Sequence, residues 1–583
     1  MDILFVDTFI QSSLSYFPLG INLLSTIVNT TSSYTSEVVS FSNLILEKKL
    51  PTTIFLENNF ETIVKYILDK NSKIISFYTL SEQYYISLIV AEKIKKINKD
   101  IKIVFAGPQA SLLSSETLDV FDFIDIIAVG EGEQNIISIL DYFNNKEEIE
   151  NVKGVCYRKQ NNIVCNEPSP LIYNLDKLPM IELDMETIPN NFYIESGRGC
   201  PYNCTFCSTK TFWKRKVRLK SVHRIIEEVK YYTTKYNIKK IDFVHDLFTA
   251  NKKHVLEFCN KLVDLDMDIK WMCRARLDTL DEEMVDRMAK SGCYKIGLGI
   301  ETGSQRMQKE INKNLELSNF KDKMRMINSY VPIQVCLIYG LPTERKEDLL
   351  QTMDLVRFCV EEMLVKIIQM NKCRCYPGSH MYLTQKDNLV FKEKNISLYN
   401  YPTKNHVDFI KSYPNLFSGL YTIKNEVLDK YFYLDTFINY IYLSVIHKIP
   451  KTMNEIISYY NNSLLDFYLE YEDEVKRVET LLVGAMYYGE KIVDVIEEIF
   501  NGLENFVKYK MKSEFIIQLF QFEVEIMRVS LDSESYKSKV LTFDYDMLKY
   551  YKELSKKKEE CKIAFTALED KTISISRVME NEP

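Results

Sequence analysis

The chain has 583 residues, which at roughly 150 residues per domain is enough for two to four domains. Its composition is 46% hydrophobic and 27% charged, which is typical of a globular protein and excludes a disordered or fibrous chain. The 74 basic and 81 acidic side chains give a net charge of -7. This acidic balance argues against a broad nucleic-acid surface, so we expect no nucleic-acid partner.

The thirteen cysteines are scattered and odd in number, so internal disulfides cannot pair all of them. A reducing compartment fits this pattern, with most thiols as plain core residues. The run from Met1 to Asp7 has no basic segment before it and is typical of a buried strand rather than a signal peptide. No uninterrupted apolar run reaches about 18 residues. We therefore predict a cytoplasmic protein with no membrane span.

The first module, about residues 1–150, alternates strand-like and helical patterns. Strand-like apolar runs occupy residues 3–6, 73–77 and 101–106, and helical runs occupy residues 20–28 and 86–97. Such alternation predicts a doubly wound, Rossmann-like α/β sheet. Ligands bind such sheets beyond the carboxyl ends of the strands, where residues 7–8, 78–81 and 106–109 fall.

Three segments of this module, residues 18–21, 105–111 and 130–133, resemble the cobalamin-binding domain that precedes many radical S-adenosylmethionine (SAM) enzymes. The resemblance implies a cobalamin site; its candidate residues are Thr8, Ser81, Gly107, Pro108 and Glu131. The loop after the first strand begins Asp7-Thr8-Phe9 and lacks the His of the Asp-x-His-x-x-Gly signature, so the cobalt would have no His ligand. A Rossmann-like domain that has lost its cofactor is the alternative.

The second module, about residues 185–385, opens on a cysteine motif. Cys200, Cys204 and Cys207 lie at offsets of 0, 4 and 7, which suits three corners of one [4Fe–4S] cluster and leaves one iron open. Gly197 and Gly199 allow the loop to fold tightly around it. A structural zinc site is the alternative, but it would want a fourth Cys or His at suitable spacing.

The motif resembles that of radical SAM enzymes, including the aromatic Phe206 before its last cysteine. In that family the open iron binds SAM, and one electron cleaves SAM to a 5′-deoxyadenosyl radical. The resemblance therefore implies SAM as a cofactor and a reducing partner such as flavodoxin or ferredoxin.

Alternating strands and helices continue beyond the motif and predict a partial (β/α)6 barrel. The strand-like segments are residues 240–244, 269–273, 295–300, 333–339 and 365–370. In the cobalamin-linked radical SAM class, which this series resembles, SAM is contacted by residues that match Asp246, Arg276 and Glu301 here, and a turn matching residues 340–342 lies along the adenine.

Several assignments stay open at this point. Asp246 could instead cap the following helix, and Arg274 could exchange roles with Arg276, because both lie on the same strand-end face. His245 is either a proton donor or an ordinary loop residue. The basic run 214–218 is a solvated loop or a surface that meets an acidic substrate or electron donor.

Two further regions complete the chain. Residues 151–184 read as a linker with a small hairpin at residues 155–158 and 163–165. Residues 386–583 are poor in glycine and carry aromatic helical stripes, which predicts a C-terminal α-helical domain that could cover the barrel mouth. Its tail, residues 570–583, is expected to fray.

The resemblance favours a cobalamin-dependent radical SAM enzyme that C-methylates a natural-product or peptide substrate. A cyclisation, rearrangement or oxidation with the same two cofactors is the second hypothesis. A non-catalytic cobalamin or cluster sensor is the third.

Overall fold

The computed structural model describes residues 1–9, 17–50, 57–183, 192–392, 404–443, 448–488, 492–511, 513–531, 539–545, 547, 558–567 and 573–577. Within these residues the chain forms two α/β layers, each built on a mainly parallel sheet, and a largely helical C-terminal part. This confirms the predicted fold class. No helix among these residues is long and apolar enough to cross a membrane.

The first sheet has seven strands in the order β2-β1-β3-β4-β5-β6-β7. Their bounds are β1 Ile3–Asp7, β2 Ser36–Ser40, β3 Ile74–Tyr78, β4 Lys102–Ala106, β5 Ile126–Ala128, β6 Val155–Lys159 and β7 Asn162–Cys165. Strands β1 to β5 pair in parallel. Successive residues of β1 enter opposite apolar layers, Ile3 on one side and Leu4 on the other, because helices cover both faces. The helices are Leu19–Thr31, Phe41–Leu46, Glu57–Asp69, Tyr84–Ile97, Pro108–Leu112, Ser114–Val120 and Ile136–Phe143.

The hairpin expected in a linker is present, but it belongs to the first sheet. Strand β6 pairs antiparallel with β5, and β7 pairs with β6, so the sheet continues beyond residue 150 to Cys165. The hairpin register places Cys156 opposite Cys165, and the two form a disulfide. The expectation that the thiols are reduced is therefore wrong for this pair, because cross-strand register brings together cysteines that look unrelated in the sequence.

The second sheet has six parallel strands in the order β15-β14-β13-β12-β11-β8. Their bounds are β8 Phe192–Glu195, β11 Lys240–Val244, β12 Lys270–Ala275, β13 Cys293–Glu301, β14 Ile333–Tyr339 and β15 Val365–Lys372. Two short strands, β9 Gly197–Arg198 and β10 Arg218–Leu219, pair antiparallel beside it. The associated helices are Thr209–Phe212, Val222–Tyr236, Lys252–Val263, Glu282–Lys290, Gln305–Glu310, Phe320–Asn328, Lys346–Glu361 and His380–Gln385.

The C-terminal part is mainly helical, as predicted, but it also contains β structure. Its helices are Lys404–Ser412, Glu426–Lys430, Leu434–Thr436, Pro450–Tyr459, Leu464–Tyr488, Ile492–Phe506 and Glu514–Leu531. The strands are the pair β16 Leu389–Val390 and β17 Thr422–Ile423, and the antiparallel sheet β18 Lys539–Tyr545, β19 Lys558–Ala567 and β20 Ile573–Arg577. The predicted frayed tail is therefore wrong at β20, which pairs with β19; the rest of residues 570–583 lies outside the described part.

Contacts with the first module show where the C-terminal part begins to pack. The Gln109 side chain donates a hydrogen bond to the Leu416 carbonyl (2.8 Å), and the rings of Tyr84 and Phe417 lie 6.1 Å apart. Farther along, Asp435 accepts hydrogen bonds from Lys372 of the barrel (2.8 Å to each oxygen). The C-terminal part thus contacts both α/β layers.

Candidate functional site

A cavity of about 560 Å³ lies between the carboxyl ends of the two sheets. The first sheet contributes Tyr78 at the end of β3 and the turns that follow β4 and β5. The second contributes Glu195, Asp246 and Arg274, at or just after the ends of β8, β11 and β12. Both α/β layers therefore direct their usual ligand-binding edges at one space.

The wall formed by the first module is built from small residues. It includes Ala106, Gly107 and Pro108 after β4, and Gly130 and Gly132 after β5. Gly107 has φ +92°, and a Cβ there would lie 2.8 Å from the Thr79 carbonyl oxygen, so this position requires glycine. A wall of this kind can receive a broad, flat ligand close to the backbone.

The five expected cobalamin residues do not all reach this wall. Gly107, Pro108 and Glu131 line the cavity. Thr8 is buried, hydrogen-bonded to the Ser87 hydroxyl (2.8 Å), and is not among the lining residues. Ser81 is also absent from the lining, and its hydroxyl donates to the Gln109 side chain. Residues 10–16, which follow β1, lie outside the described part.

Glu131 lines the cavity, but its carboxylate is bound to the barrel. One oxygen accepts from Arg198 (2.5 Å) and from Arg218 (2.8 Å), and the other accepts from Arg218 (2.8 Å) and from the Ile172 backbone N–H (2.7 Å). All three charged side chains are buried. Glu131 therefore joins the two modules, a role that the sequence did not indicate.

The cysteine motif forms a loop next to this junction. Cys204 is buried, whereas Cys200 and Cys207 are partly exposed. The loop begins at Gly199, whose φ is +89° and whose added Cβ would lie only 2.2 Å from the Lys216 carbonyl oxygen. The backbone N–H of Thr205 donates to the Ile311 carbonyl (2.9 Å), which ties the loop to the barrel.

The three thiols influence one another electrostatically. Burial raises the pKa of Cys200, and the nearby Cys207 and Cys204 thiols raise it further. Burial also raises the pKa of Cys204, while the positive charges of Lys313 and Arg276 lower it. Thiolate ligands would thus have cationic neighbours, which fits a cluster held by three cysteines. In the described part of the chain, no three His, Cys, Asp or Glu side chains converge on a single metal ion.

Asp246 holds the cluster loop. Its carboxylate accepts from the Gly199 N–H (2.8 Å) and from the Thr209 hydroxyl (3.3 Å), and burial raises its pKa. The alternative that it caps the next helix is wrong, since Asn251 is the N-cap of that helix and accepts from the His254 N–H (3.1 Å). Asp246 also lines the cavity, so a SAM-facing role stays a prediction.

His245 contacts the same loop through the Gly199 carbonyl. Burial lowers the pKa of His245 to about 4, so the ring is neutral near pH 7. Its Nε2 lies 3.1 Å from the Gly199 carbonyl oxygen, and because a carbonyl only accepts, this nitrogen carries the proton. The backbone N–H of Gly199 is therefore held by Asp246, and its carbonyl is held by His245.

Glu301 ends strand β13 in an unusual conformation. Its φ is +69°, and the register between β13 and β14 shifts between Gly299 and Glu301. Its carboxylate accepts from Lys313 (2.8 Å), and both side chains are buried. A strained residue of this kind at the end of a barrel strand is typical of a functional site. Its expected contact with SAM stays a prediction.

The two candidate arginines have different partners. Arg276 makes a bidentate pair with Asp278 (3.0 and 2.9 Å), and its guanidinium lies 3.6 Å from the centre of the Tyr202 ring in the cluster loop. Its Nη1 is buried and has no hydrogen-bond partner. Arg274 pairs with Asp242 (3.0 and 3.2 Å) and lines the cavity. Only Arg276 therefore contacts the cluster loop.

Glu344 stabilises the turn at residues 340–342. Its Oε2 accepts from the backbone N–H groups of Gly340 and Leu341, whereas its buried Oε1 has no partner. Burial consequently raises the pKa of Glu344 from 4.5 to about 8. Between these values the folded chain holds a proton that the unfolded chain has lost, so stability falls as pH rises through this window.

Replacing Glu344 with Gln is expected to flatten this part of the pH dependence. We expect the fall in unfolding midpoint between about pH 5 and pH 8 to be smaller in Glu344→Gln than in the natural chain, because the amide does not titrate. Thermal unfolding followed by circular dichroism at several pH values measures this. Glu182→Gln, at an exposed ion pair with Lys235, is the control. Identical pH profiles for the Glu344 variant and the natural chain would show that this carboxyl does not carry the effect.

Proteins of similar sequence are consistent with a cysteine-bearing barrel in the second module. The family profile described as the radical SAM superfamily matches residues 194–356. An uncharacterized methyltransferase of Pyrococcus horikoshii is 27% identical over 333 residues, which are 55% of this chain and 71% of that protein. Anaerobic magnesium-protoporphyrin IX monomethyl ester cyclase of Rubrivivax gelatinosus is 26% identical over 45% of this chain and 50% of its own length. The hopanoid C-3 methylase of Methylococcus capsulatus is 26% identical over 49% and 55%. The chain thus spans only about half the length of the latter two.

Solved structures show the same fold. The cobalamin-dependent SAM radical enzyme OxsB, with aqua-cobalamin bound, aligns with a TM-score of 0.60 and 15% identity over 90% of this chain and 80% of its own. The radical SAM methyltransferase TsrM from Kitasatospora setae, with cobalamin and a [4Fe-4S] cluster bound, aligns with a TM-score of 0.55 and 14% identity over 66% and 75%.

The cysteine loop at the mouth of the partial barrel lies within residues 194–356, and the matched family profile identifies this part of the chain as a radical SAM domain. Its additional α/β layer, which faces that barrel across the cavity, gives it the same fold as the cobalamin-dependent enzyme OxsB. This confirms the resemblance noted in the sequence.

Proposed function

We propose that this chain is a cobalamin-dependent radical SAM methyltransferase that methylates a carbon atom of a natural product or peptide. The observation that carries the proposal is the single cavity bordered by Gly107 and Gly130 on one side and by Asp246 next to the cluster loop on the other. When bound, a reduced [4Fe–4S] cluster would supply the electron for reductive cleavage of SAM, and cobalamin would supply the methyl group. Radical and methyl chemistry on one substrate requires near-contact distances. Asp246 supports this proposal because it lines the cavity and also holds the cluster loop, whereas the three cysteines, Arg276 and Glu301 are not among the lining residues.

Cys200, Cys204 and Cys207 would hold the cluster and leave one iron for SAM. The loop that carries them is supported on several sides by hydrogen bonds, as described above for Gly199 and Thr205. The fit of the cluster rests on the placement of the three thiols in this one loop and on their cationic neighbours Lys313 and Arg276.

The residues around Cys204 match the charged groups of SAM. SAM presents an ammonium, a carboxylate and ribose hydroxyls. Glu301 can accept hydrogen bonds from an ammonium or from hydroxyls, and Arg276 has a buried Nη1 free for a carboxylate. The buried Lys313 ammonium pairs with Glu301, which limits the cost of keeping this carboxylate buried. We therefore assign these residues, with Asp246, to the SAM site.

Gly107, Pro108 and the Gly130–Gly132 turn would form the cobalamin wall. Among the described residues, no His of the first module lines the cavity. The expected cobalamin would therefore be held by backbone and shape on this wall. Thr8 and Ser81 keep the loops after β1 and β3 in place through Ser87 and Gln109.

Methylation and a non-methylating reaction can be separated by isotope label. The names of the Pyrococcus and Methylococcus relatives favour methylation, whereas the Rubrivivax cyclase keeps ring formation as the second candidate. The anaerobically reconstituted chain is incubated with methyl-labelled SAM, a chemical reductant and fractionated natural-product and peptide pools. We expect both 5′-deoxyadenosine and a labelled product. Deoxyadenosine with an unlabelled, altered substrate would favour the second candidate, and no SAM cleavage would contradict both.

A basic turn beside the cluster loop is the proposed docking point for an acidic reducing protein, such as flavodoxin or ferredoxin. Lys214, Arg215 and Lys216 are exposed, and Arg215 donates to the Pro201 carbonyl (2.9 and 3.1 Å) inside the cysteine motif. The turn thus presents positive charge directly over the loop. Complementary charge chiefly raises association rates and is weakened by salt.

Reversing two of these charges is expected to slow reduction by a protein donor only. In Lys214→Glu/Lys216→Glu we expect an apparent KM for flavodoxin that is about tenfold higher at low salt, since steering accounts for factors of about 10 or more. SAM cleavage driven by dithionite should be unchanged, which controls for damage to the cluster loop. The readout is 5′-deoxyadenosine formed per minute at increasing donor concentration. An equal loss with dithionite would mean that the substitutions disturb the loop itself.

A further inference from the structure

One buried ion-pair network connects the proposed cobalamin wall with the cluster loop. Arg198 lies two residues before Cys200, and its guanidinium binds Glu131 (2.5 Å) and Glu133 (2.6 Å) of the first module. It also binds Glu195 at the end of β8 (2.7 Å). Glu131 itself lies between the cavity-lining Gly130 and Gly132. The network, which we call the Glu131–Arg198 clamp, therefore spans the two sides of the cavity.

The clamp is buried and makes several charge-assisted contacts. The side chains of Arg198 and Glu131 are 6% and 2% exposed. Arg218, paired with Arg198 across β9 and β10, adds a second guanidinium to Glu131, and both guanidinium groups lie over the Trp213 ring (5.8 and 5.2 Å). Charge-assisted, forked hydrogen bonds fix direction as well as distance. If Glu131 lost these partners, its buried carboxylate would be left uncompensated. We therefore expect Glu131 to keep its pairs with Arg198 and Arg218.

We propose that Glu131 and Arg198 are positioning residues that set the separation between the cluster and cobalamin. The inference rests on the proposed function, because it concerns both cofactors. Each proposed cofactor site lies on a different α/β layer. The clamp joins the Gly130–Gly132 turn of the cobalamin site to the start of the cysteine loop. Weakening it should let the two sites shift relative to each other while each keeps its own ligands.

The distance between two paramagnetic centres tests this directly. In the reconstituted full-length protein, the reduced cluster and cob(II)alamin each carry an unpaired electron, and pulsed electron paramagnetic resonance measures their dipolar coupling. We expect one narrow distance distribution in the natural chain. In Glu131→Gln, which keeps the shape but removes the charge, we expect a broadened or shifted distribution with unchanged iron content.

Product coupling gives a second readout. A displacement of about 1 Å can cost about 100-fold in rate, so methylated product per 5′-deoxyadenosine should fall strongly in Glu131→Gln while SAM cleavage continues. Glu182→Gln, which removes a carboxylate from an exposed ion pair with Lys235, is the matched control and should behave as the natural chain does.

Each outcome decides a separate question. An unchanged distance distribution and unchanged coupling in Glu131→Gln would overturn the clamp proposal. If that variant does not fold, Arg198→Lys is the second test, because it keeps the positive charge but loses the forked guanidinium hydrogen bonds. We expect it to broaden the distance distribution as well. An unchanged distribution in Arg198→Lys would likewise overturn the proposal. If the natural chain binds no cobalamin, the proposed function fails, which is a different result from a clamp without effect.

Discussion

Replacing Gly199 with Ala is expected to abolish the cluster although all three cysteines remain. The residue has φ +89°, and the added Cβ would lie 2.2 Å from the Lys216 carbonyl oxygen. A non-glycine residue in such a conformation costs about 1–3 kcal/mol, and the backbone clash adds to this cost. Both polar groups of Gly199 are also bonded, to Asp246 and to His245. The loop therefore cannot move away from Lys216 without losing these supports.

Iron and sulfide content after anaerobic reconstitution measures this effect. We expect the Gly199→Ala protein to retain little cluster and to form no 5′-deoxyadenosine, while its far-ultraviolet circular dichroism resembles that of the natural chain. Gly20→Ala is the matched control, because it adds the same methyl group where nothing lies within 4 Å. A full cluster in Gly199→Ala would show that the loop tolerates another conformation.

Replacing Ala106 with Trp is expected to remove cobalamin while leaving the cluster intact. Ala106 ends β4 and lines the cavity on the wall that faces the barrel. An indole at this position would occupy the space that the ligand needs. We expect the affinity for hydroxocobalamin to fall at least tenfold, which corresponds to about 1.4 kcal/mol. Spectral titration under anaerobic conditions measures this affinity.

The Ala106→Trp variant also shows whether the second module is intact. Iron content and dithionite-driven SAM cleavage should remain, because Ala106 belongs to the other wall of the cavity. Leu383→Trp, at a position that is 66% exposed, controls for the added indole. Undiminished cobalamin binding by Ala106→Trp would show that cobalamin does not bind against this wall.

The parts of the site that are local in the sequence could be predicted from it. Cys200, Cys204 and Cys207 lie within one short loop, so their spacing alone indicates a shared ligand. The barrel strands were also predictable, and β11 and β14 match the expected segments at both ends, because both are short segments rich in β-branched and aromatic residues. Strand β2 was missed, since its sequence contains Ser36, Glu37 and Ser40 and lies at the edge of the sheet.

The contacts between distant segments could not be predicted. Glu131 was assigned to cobalamin from the resemblance of residues 130–133, and its partners Arg198 and Arg218, 67 and 87 residues away, could not be foreseen. Asp246 was expected to face SAM or cap a helix, and neither expectation included the hydrogen bond of its carboxylate to a backbone group 47 residues earlier. Periodicity and spacing report which face of an element a residue occupies, but they do not report which distant segment covers that face.

The cofactor content of the reconstituted chain tests the central claim most directly. After anaerobic reconstitution with iron, sulfide and hydroxocobalamin, the protein is separated from free cofactor by gel filtration, and its iron and cobalt are measured per chain. If the cavity joins both cofactor sites, we expect one [4Fe–4S] cluster and one cobalamin on the same chain. A full complement of iron with no retained cobalt would contradict the account.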